Sequence, residues 1–468
     1  MRFWHGLLVA TDPPAIRRSS GGIGGAIATA EAKARRSMLR NHGGGVAAVS
    51  NLELFFDLIF VFAVTQLSHF LLADLTFTGA YKTALLFAAV WWAWMYTTWV
   101  TNWIDPDRAT NRLMLGGVML ASLVMAAAIP AALGPGGLGT GGLGTGGLAF
   151  AISYIAIQVG RSLYVSRIMA RENATGSRNL LRISVWFLAT APLWLWGAIQ
   201  PDVITRVGLW TLALAIEYAG PVLQFITPGL GRSRVEDWEI SGSHMAERCG
   251  LFIIIALGEG LVITGATYAA ATGQPGLNLA LVNAFLGTFA MWWLYFDIGA
   301  RRGARHIEQH AIPGLIARQA FTYWHIPIVA GIIVLAVGDE LLLAHPLEPV
   351  DVKFVSVVFT GTVLFLAGLA AFKRISSGNP WYPASHTYGL GLATVIAGLS
   401  WWLHPSGLVL VGATATLFVL IAVWEWVSFH GGWLERMERR GWWLGKVIRI
   451  RVNQRRALRL AKEAAERG

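Results

Sequence analysis

The sequence predicts an all-α protein of about twelve membrane-crossing helices, and three observations carry that expectation. Of 468 residues, 55% are hydrophobic and only 13% charged, with a mean hydropathy of +0.54; a soluble domain carries about 25% charged residues. The apolar residues fall into twelve runs, at about 54–73, 83–101, 113–133, 148–168, 180–200, 206–226, 250–271, 279–299, 320–343, 353–373, 385–404 and 407–430. Each comes near the roughly 20 residues a helix needs to cross a ~30 Å hydrocarbon core. The basic residues are also partitioned. With alternating spans and a cytoplasmic N-terminus, 33 of the 37 Lys and Arg fall on the cytoplasmic side. Lys82, Arg206 and Lys353 fall outside and Arg161 lies within a span. That asymmetry follows the positive-inside rule.

The same partition explains the net charge of +11 without nucleic acid as a partner. Many of the 22 Trp lie near span ends, as interfacial aromatics do. A single cysteine, Cys249, excludes a disulfide framework or a cysteine-based metal site. Residues 1–45, with their Gly runs and scattered Arg, are expected to form a disordered cytoplasmic tail, and 46–430 the transmembrane domain. Residues 431–468 alternate Arg and Lys with Trp, Leu, Ile and Val. That composition suits a basic amphipathic helix on anionic lipid headgroups of the cytoplasmic leaflet; a solvated charged tail is the alternative. The Gly-rich stretch 134–147 has no Lys-Ser/Thr pair and no preceding strand, so it is expected to be a linker rather than a phosphate loop. His306 and His310 have no HExxH order, and no metal or cofactor is expected.

Ionisable residues inside the spans are the candidate functional groups, because each acid there costs roughly 2.5–3.5 kcal/mol by insertion scales. The run NLELFFDLIFVFAVTQLSHFLLA places Glu53 and Asp57 on one helix face. In the seventh run His244, Glu247, Arg248 and Glu259 fall within ~120° of one another, Glu259 being ~16 Å deeper than Arg248. Glu217 and Glu425 are expected at a similar depth. Asp297 closes the eighth run, Arg318 opens the ninth, and His325 lies two turns further in. The ordinary alternative for Arg161 and Glu217 is a pair with each other, and that for His325 is a hydrogen-bonded core histidine.

The two halves of the chain, 51–227 and 244–430, match weakly but in order. Glu53 corresponds to Glu247, Trp91-Trp92 to Trp292-Trp293, Leu188-Ala189-Thr190 to Leu392-Ala393-Thr394, and Glu217 to Glu425. Six spans per half would make two parallel repeats about an axis along the membrane normal.

ELFFDLIFVFAVTQLSHFL (53–71), HMAERCGLFIIIALGE (244–259) and RQAFTYWHIPIVAGIIVLAVGDE (318–340) resemble the bacterial low temperature requirement A family, over about residues 46–430. The resemblance implies an integral membrane protein linked to growth in the cold. On matching positions its characteristic residues would be Glu53, Asp57, His244, Glu247, Arg248, Glu259 and His325. With Asp297 and Arg318 added, these nine form the proposed polar cavity or ion site. The leading expectation is a secondary transporter or ion permease of the bacterial inner membrane, both termini cytoplasmic, handling protons, a cation or a small polar substrate. Rival expectations are a lipid-modifying membrane enzyme, using the His/Glu/Arg cluster as acid and base, and a structural or assembly factor.

Overall fold

The computed structural model describes residues 37–40, 49–134, 146–234, 237, 238, 240–271, 273–297, 313–378, 380–429 and 439–441. Within them lie α1 (Asn51–Ala73), α2 (Phe77–Trp103), α3 (Ala109–Ala132), α4 (Gly147–Met169), α5 (Ala174–Ile199) and α6 (Val203–Ala219). They are followed by α7 (Gly242–Ala270), α8 (Leu277–Phe296), α9 (Gly314–Ala344), α10 (Val352–Ser377), α11 (Ala384–Leu403) and α12 (Gly407–Phe429). Among the described residues there is no strand, only isolated bridges such as Pro349 to Ser406. Among the described residues nine helices are long and apolar enough to cross a membrane; α2, α6 and α11 fall short of that measure. α6 has 17 residues, and α2 and α11 carry Thr, Trp and Tyr among their apolar residues, α11 also a His.

Helix starts are set locally. The side chains of Ser50, Thr76, Asn173, Asp202, Ser241 and Asp351 each accept from a backbone N–H of the first turn of α1, α2, α5, α6, α7 and α10. Glu53 closes a capping box by taking the Ser50 N–H at 2.8 Å. Two helices contain a π-turn, Ala156–Gly160 in α4 and Arg318–Tyr323 in α9. In α9, Pro327 has no N–H for the Tyr323 carbonyl. The π-turn also leaves carbonyls that other side chains take up: Trp91 Nε1 donates to the Thr322 carbonyl at 2.9 Å.

Bonds between helix ends join like ends of the bundle. The start of α3 meets the end of α4 through Asn111 and Tyr164, and the end of α6 meets α9 through Arg318 and the Pro221 carbonyl. At the opposite end Arg206 donates to the carbonyls of Ala132, Gly197 and Gln200, satisfying the last turns of α3 and α5. The odd helices therefore start, and the even helices finish, at one end, called proximal below. Arg206, which the sequence assigns to an outside loop, is a buried cap at the distal end.

Packing neighbours repeat between the halves: α1 packs on α2 and α3, and α7 on α8 and α9. The pairs α3–α4, α4–α5, α5–α6 and α2–α6 recur as α9–α10, α10–α11, α11–α12 and α8–α12. The two sets meet chiefly where α1 packs on α7 and on α9. The α9–α10 contact is the closest: a Cβ on Gly331 would stand 2.5 Å from the Phe365 nitrogen, and one on Gly361 3.0 Å from the Leu335 nitrogen. Small residues allowing backbones to touch are the means by which membrane helices associate.

Two expectations change. Residues 37–40, placed in the tail by the sequence, lie against the bundle: Arg40 N donates to the Trp103 carbonyl at 2.8 Å and Asp105 N to the Met38 carbonyl at 3.0 Å. The sixth span ends at Ala219 rather than 226, because Gly220-Pro221 breaks it and the chain turns back through Gln224 and Phe225. The rest of the N-terminal tail, residues 135–145 of the Gly-rich linker, His306 and His310, and the C-terminal stretch but for 439–441 lie outside the described residues.

Candidate functional site: the α1–α7 seam

Glu53, Asp57, His244 and Arg248 come together at the proximal end, all buried between α1 and α7. Glu53 Oε1 lies 2.8 Å from His244 Nε2, and its other oxygen takes Arg40 at 3.2 Å and the Ser50 hydroxyl at 2.9 Å. The tautomer of His244 follows from Asn102. That amide's oxygen accepts the Ser241 N–H at 3.1 Å, so its nitrogen faces His244 Nδ1 at 3.2 Å. Nδ1 therefore accepts and Nε2 carries the proton towards Glu53.

One turn further along, Arg248 donates to Asp57 Oδ1 at 2.9 Å and to the Glu53 carbonyl at 2.8 Å. Trp94 Nε1 also donates to Asp57 Oδ1, at 2.8 Å. The guanidinium lies over the rings of Phe56 and Trp94 at 5.7 Å each. Two polar atoms remain without a partner, Asp57 Oδ2 and Arg248 Nε, although both are buried. Deeper again, the Thr65 hydroxyl of α1 donates to Glu259 of α7. Three acid contacts thus follow one another along two parallel helices, at 53/244, 57/248 and 65/259, in a seam otherwise lined by Phe56, Phe60 and Phe252.

The remaining candidates lie elsewhere. Glu247 is exposed, and its carboxylate takes the Val49 N–H just before α1. Asp297 follows α8 with Oδ2 buried and unpartnered, within electrostatic reach of Lys373. Lys373 pairs with Glu425 at 2.5 Å, and Ser385 and His386 complete that proximal cluster of α10, α11 and α12. Arg318 donates to the Pro221 carbonyl at 2.7 Å. His325 is a satisfied core residue. Its Nδ1 faces the Ala320 carbonyl at 2.9 Å, its Nε2 the Tyr295 hydroxyl at 2.8 Å, and Phe321 stacks on it.

Glu217 and Glu425 do not share a depth. Glu425 bonds the proximal ends of α10 and α11, whereas Glu217 lies between Tyr154, Thr190 and Trp194, nearer the distal ends of α4 and α5. Nor does Glu217 touch Arg161. The two are joined by a chain in which Arg161 donates to Gln158, Gln158 to the Tyr154 hydroxyl at 3.1 Å, and Tyr154 to Glu217 at 2.5 Å.

Sequence reasoning passed over Asp339 and Glu340, although two adjacent acids inside the apolar run AVGDELLLA were a visible signal. Asp339 is buried beside a small void with Met291, Thr414 and Phe418. Glu340 Oε2 is buried without a partner among the described residues, and His69 is within electrostatic reach of that carboxyl. It also counted Lys373 as a loop charge and left Trp94 and Asn102 unassigned, since neither has a periodicity that marks it.

Alternating apolar helices with charged side chains held between them define a multi-pass membrane protein. The chain belongs to the family described as bacterial low temperature requirement A protein (LtrA), matched over residues 48–423. It is 37% identical over 392 residues to the uncharacterized protein RA0937 of Rhizobium meliloti (strain 1021), across 83% of this chain and 92% of that one. No solved structure matches it.

Proposed function

We propose that the protein is a secondary transporter or ion permease of the bacterial inner membrane, coupled to protons or another cation, with two six-helix halves meeting at the α1–α7 seam. The seam is the observation that carries this reading. Acids placed in a membrane interior are costly and mark ion pathways. Here three of them lie one above another where the two sets of helices touch. The recurrence of packing neighbours supports two parallel repeats, and in transporters of that architecture the halves rock about the substrate and ion sites between them.

Glu259, the deepest of the three, is the group that takes up and passes on the transported proton or cation. Asp57–Arg248 and Glu53–His244 close the proximal side, which the excess of Lys and Arg assigns to the cytoplasm. Both termini are then cytoplasmic. The test is reconstitution into liposomes with an entrapped pH dye. Wild-type protein dissipates an imposed pH gradient, and Glu259→Gln, which cannot release a proton, slows dissipation at least about tenfold, a loss of the size expected for a required acid–base group. Equal rates for the two would remove Glu259 from the pathway.

A further inference from the structure

A second feature lies apart from the seam. A cavity of about 70 Å³ opens between the last turns of α2, the start of α5, the 220–238 connection and the start of α9. Its walls include the faces of Trp92, Trp99, Trp103 and Trp238, and among the described residues lining it Arg318 alone is charged. These indoles are not an ordinary interfacial belt, because Trp92 and Trp103 are buried inside the bundle at 0% and 8% exposure. On the scale by which a cavity of ~150 Å³ takes one benzene, it has room for about three heavy atoms, enough for a carboxyl group whose chain leaves through the mouth.

Three observations point to a ligand. The Trp92 N–H is buried and has no hydrogen-bond partner among the described residues, although buried donors are as a rule satisfied. Arg318 spends one nitrogen on the Pro221 carbonyl, and its other two make no hydrogen bond among the described residues. Gln224 and Phe225, both lining the cavity, are consecutive non-glycine residues at φ 56° and 47°. Such left-handed backbone is disfavoured and concentrates at ligand clamps. The chain holds it through Phe225 N to the Gly220 carbonyl at 2.9 Å and Ser233 N to the Gln224 carbonyl at 2.8 Å.

We propose that this cavity binds the carboxylate end of a long-chain fatty acid. The guanidinium offers the paired donors that suit a carboxylate, Trp92 with its unpartnered N–H lines the same cavity, and the indoles of Trp99, Trp103 and Trp238 line the way for the first methylenes. The cavity lies towards the proximal end of the bundle, beside the start of α9. This assignment does not rest on the transport reading.

The full-length protein in phosphatidylcholine nanodiscs, irradiated with diazirine-bearing palmitate, tests it by peptide mapping. Label is expected on 92–103 and 180–183 and is displaced by unlabelled palmitate. Methyl palmitate, lacking the charge, competes about tenfold more weakly, and Arg318→Gln weakens labelling by a similar factor, as loss of a charged hydrogen bond does. Ile183→Trp, which fills the cavity, abolishes labelling; if that variant does not fold, competition on the wild type decides. Label spread over lipid-facing helices without competition would overturn the proposal, as would displacement by phosphatidylglycerol but not by palmitate.

Discussion

Arg248→Met is expected to destabilise the folded protein by about 3–5 kcal/mol, the cost of breaking a buried pair and leaving one charge behind. Asp57 would keep only the Trp94 N–H, with its second oxygen already unpartnered in the wild type. The Glu53 carbonyl would lose the Arg248 donor, and the rings of Phe56 and Trp94 their covering cation. Removing both charges is a different matter, because replacing a buried pair with apolar side chains of similar volume is often neutral. Asp57→Leu/Arg248→Met should therefore recover most of the loss while abolishing any role of the pair in gating. The protein carries its own reporter. Cys249, its only cysteine, is fully buried, so a thiol-reactive dye fluoresces as the bundle opens with temperature. If the single and double variants unfold at the same temperature, the pair is not what holds the proximal end of the seam.

Glu217→Gln is the second large effect. The carboxylate accepts from Tyr154, Thr190 and Trp194 at 2.5, 2.7 and 2.9 Å. A glutamine has the same size but one acceptor oxygen, and its NH₂ would face donors. Each donor left buried without a partner costs about 1–3 kcal/mol. The Tyr154 hydroxyl also passes the interaction on through Gln158 to Arg161, a buried cation whose other bonds go to the Ala93 carbonyl and the Thr97 hydroxyl. Thermal unfolding by the Cys249 dye should show a loss of at least about 2 kcal/mol for this single-atom change. By contrast, Glu247→Gln, at an exposed position with one backbone contact, should fall within about 0.5 kcal/mol of wild type.

The helices were legible because their apolar runs are long and their caps local; all twelve runs correspond to helices. What could not be read was partnership. Periodicity places Glu53 and Asp57 on one face of α1, but nothing in the sequence says that this face meets α7. The arc holding His244, Glu247, Arg248 and Glu259 is wider than the buried stripe of α7, so Glu247, at its edge, turns out to the surface. Lys373 looked like a loop charge because it ends an apolar run; α10 continues past it to Ser377, and Glu425 on α12 neutralises it. Aromatic and amide donors such as Trp94, Asn102 and Tyr154 complete the buried networks, and these residue types carry no charge signal in a sequence.

Movement at the seam is measured most directly on the native cysteine. Cys249 sits on α7 within electrostatic reach of Asp57 and Arg248 and is closed off in this conformation. In liposomes, a membrane-impermeant methanethiosulfonate added from either side reports whether α1 and α7 part. Rocking of the two halves predicts that an imposed pH gradient speeds labelling of Cys249 at least about tenfold over symmetric pH, as expected if an open state with a minor share of the population becomes dominant. Labelling that is equally slow with and without the gradient, in protein that remains folded, would contradict it.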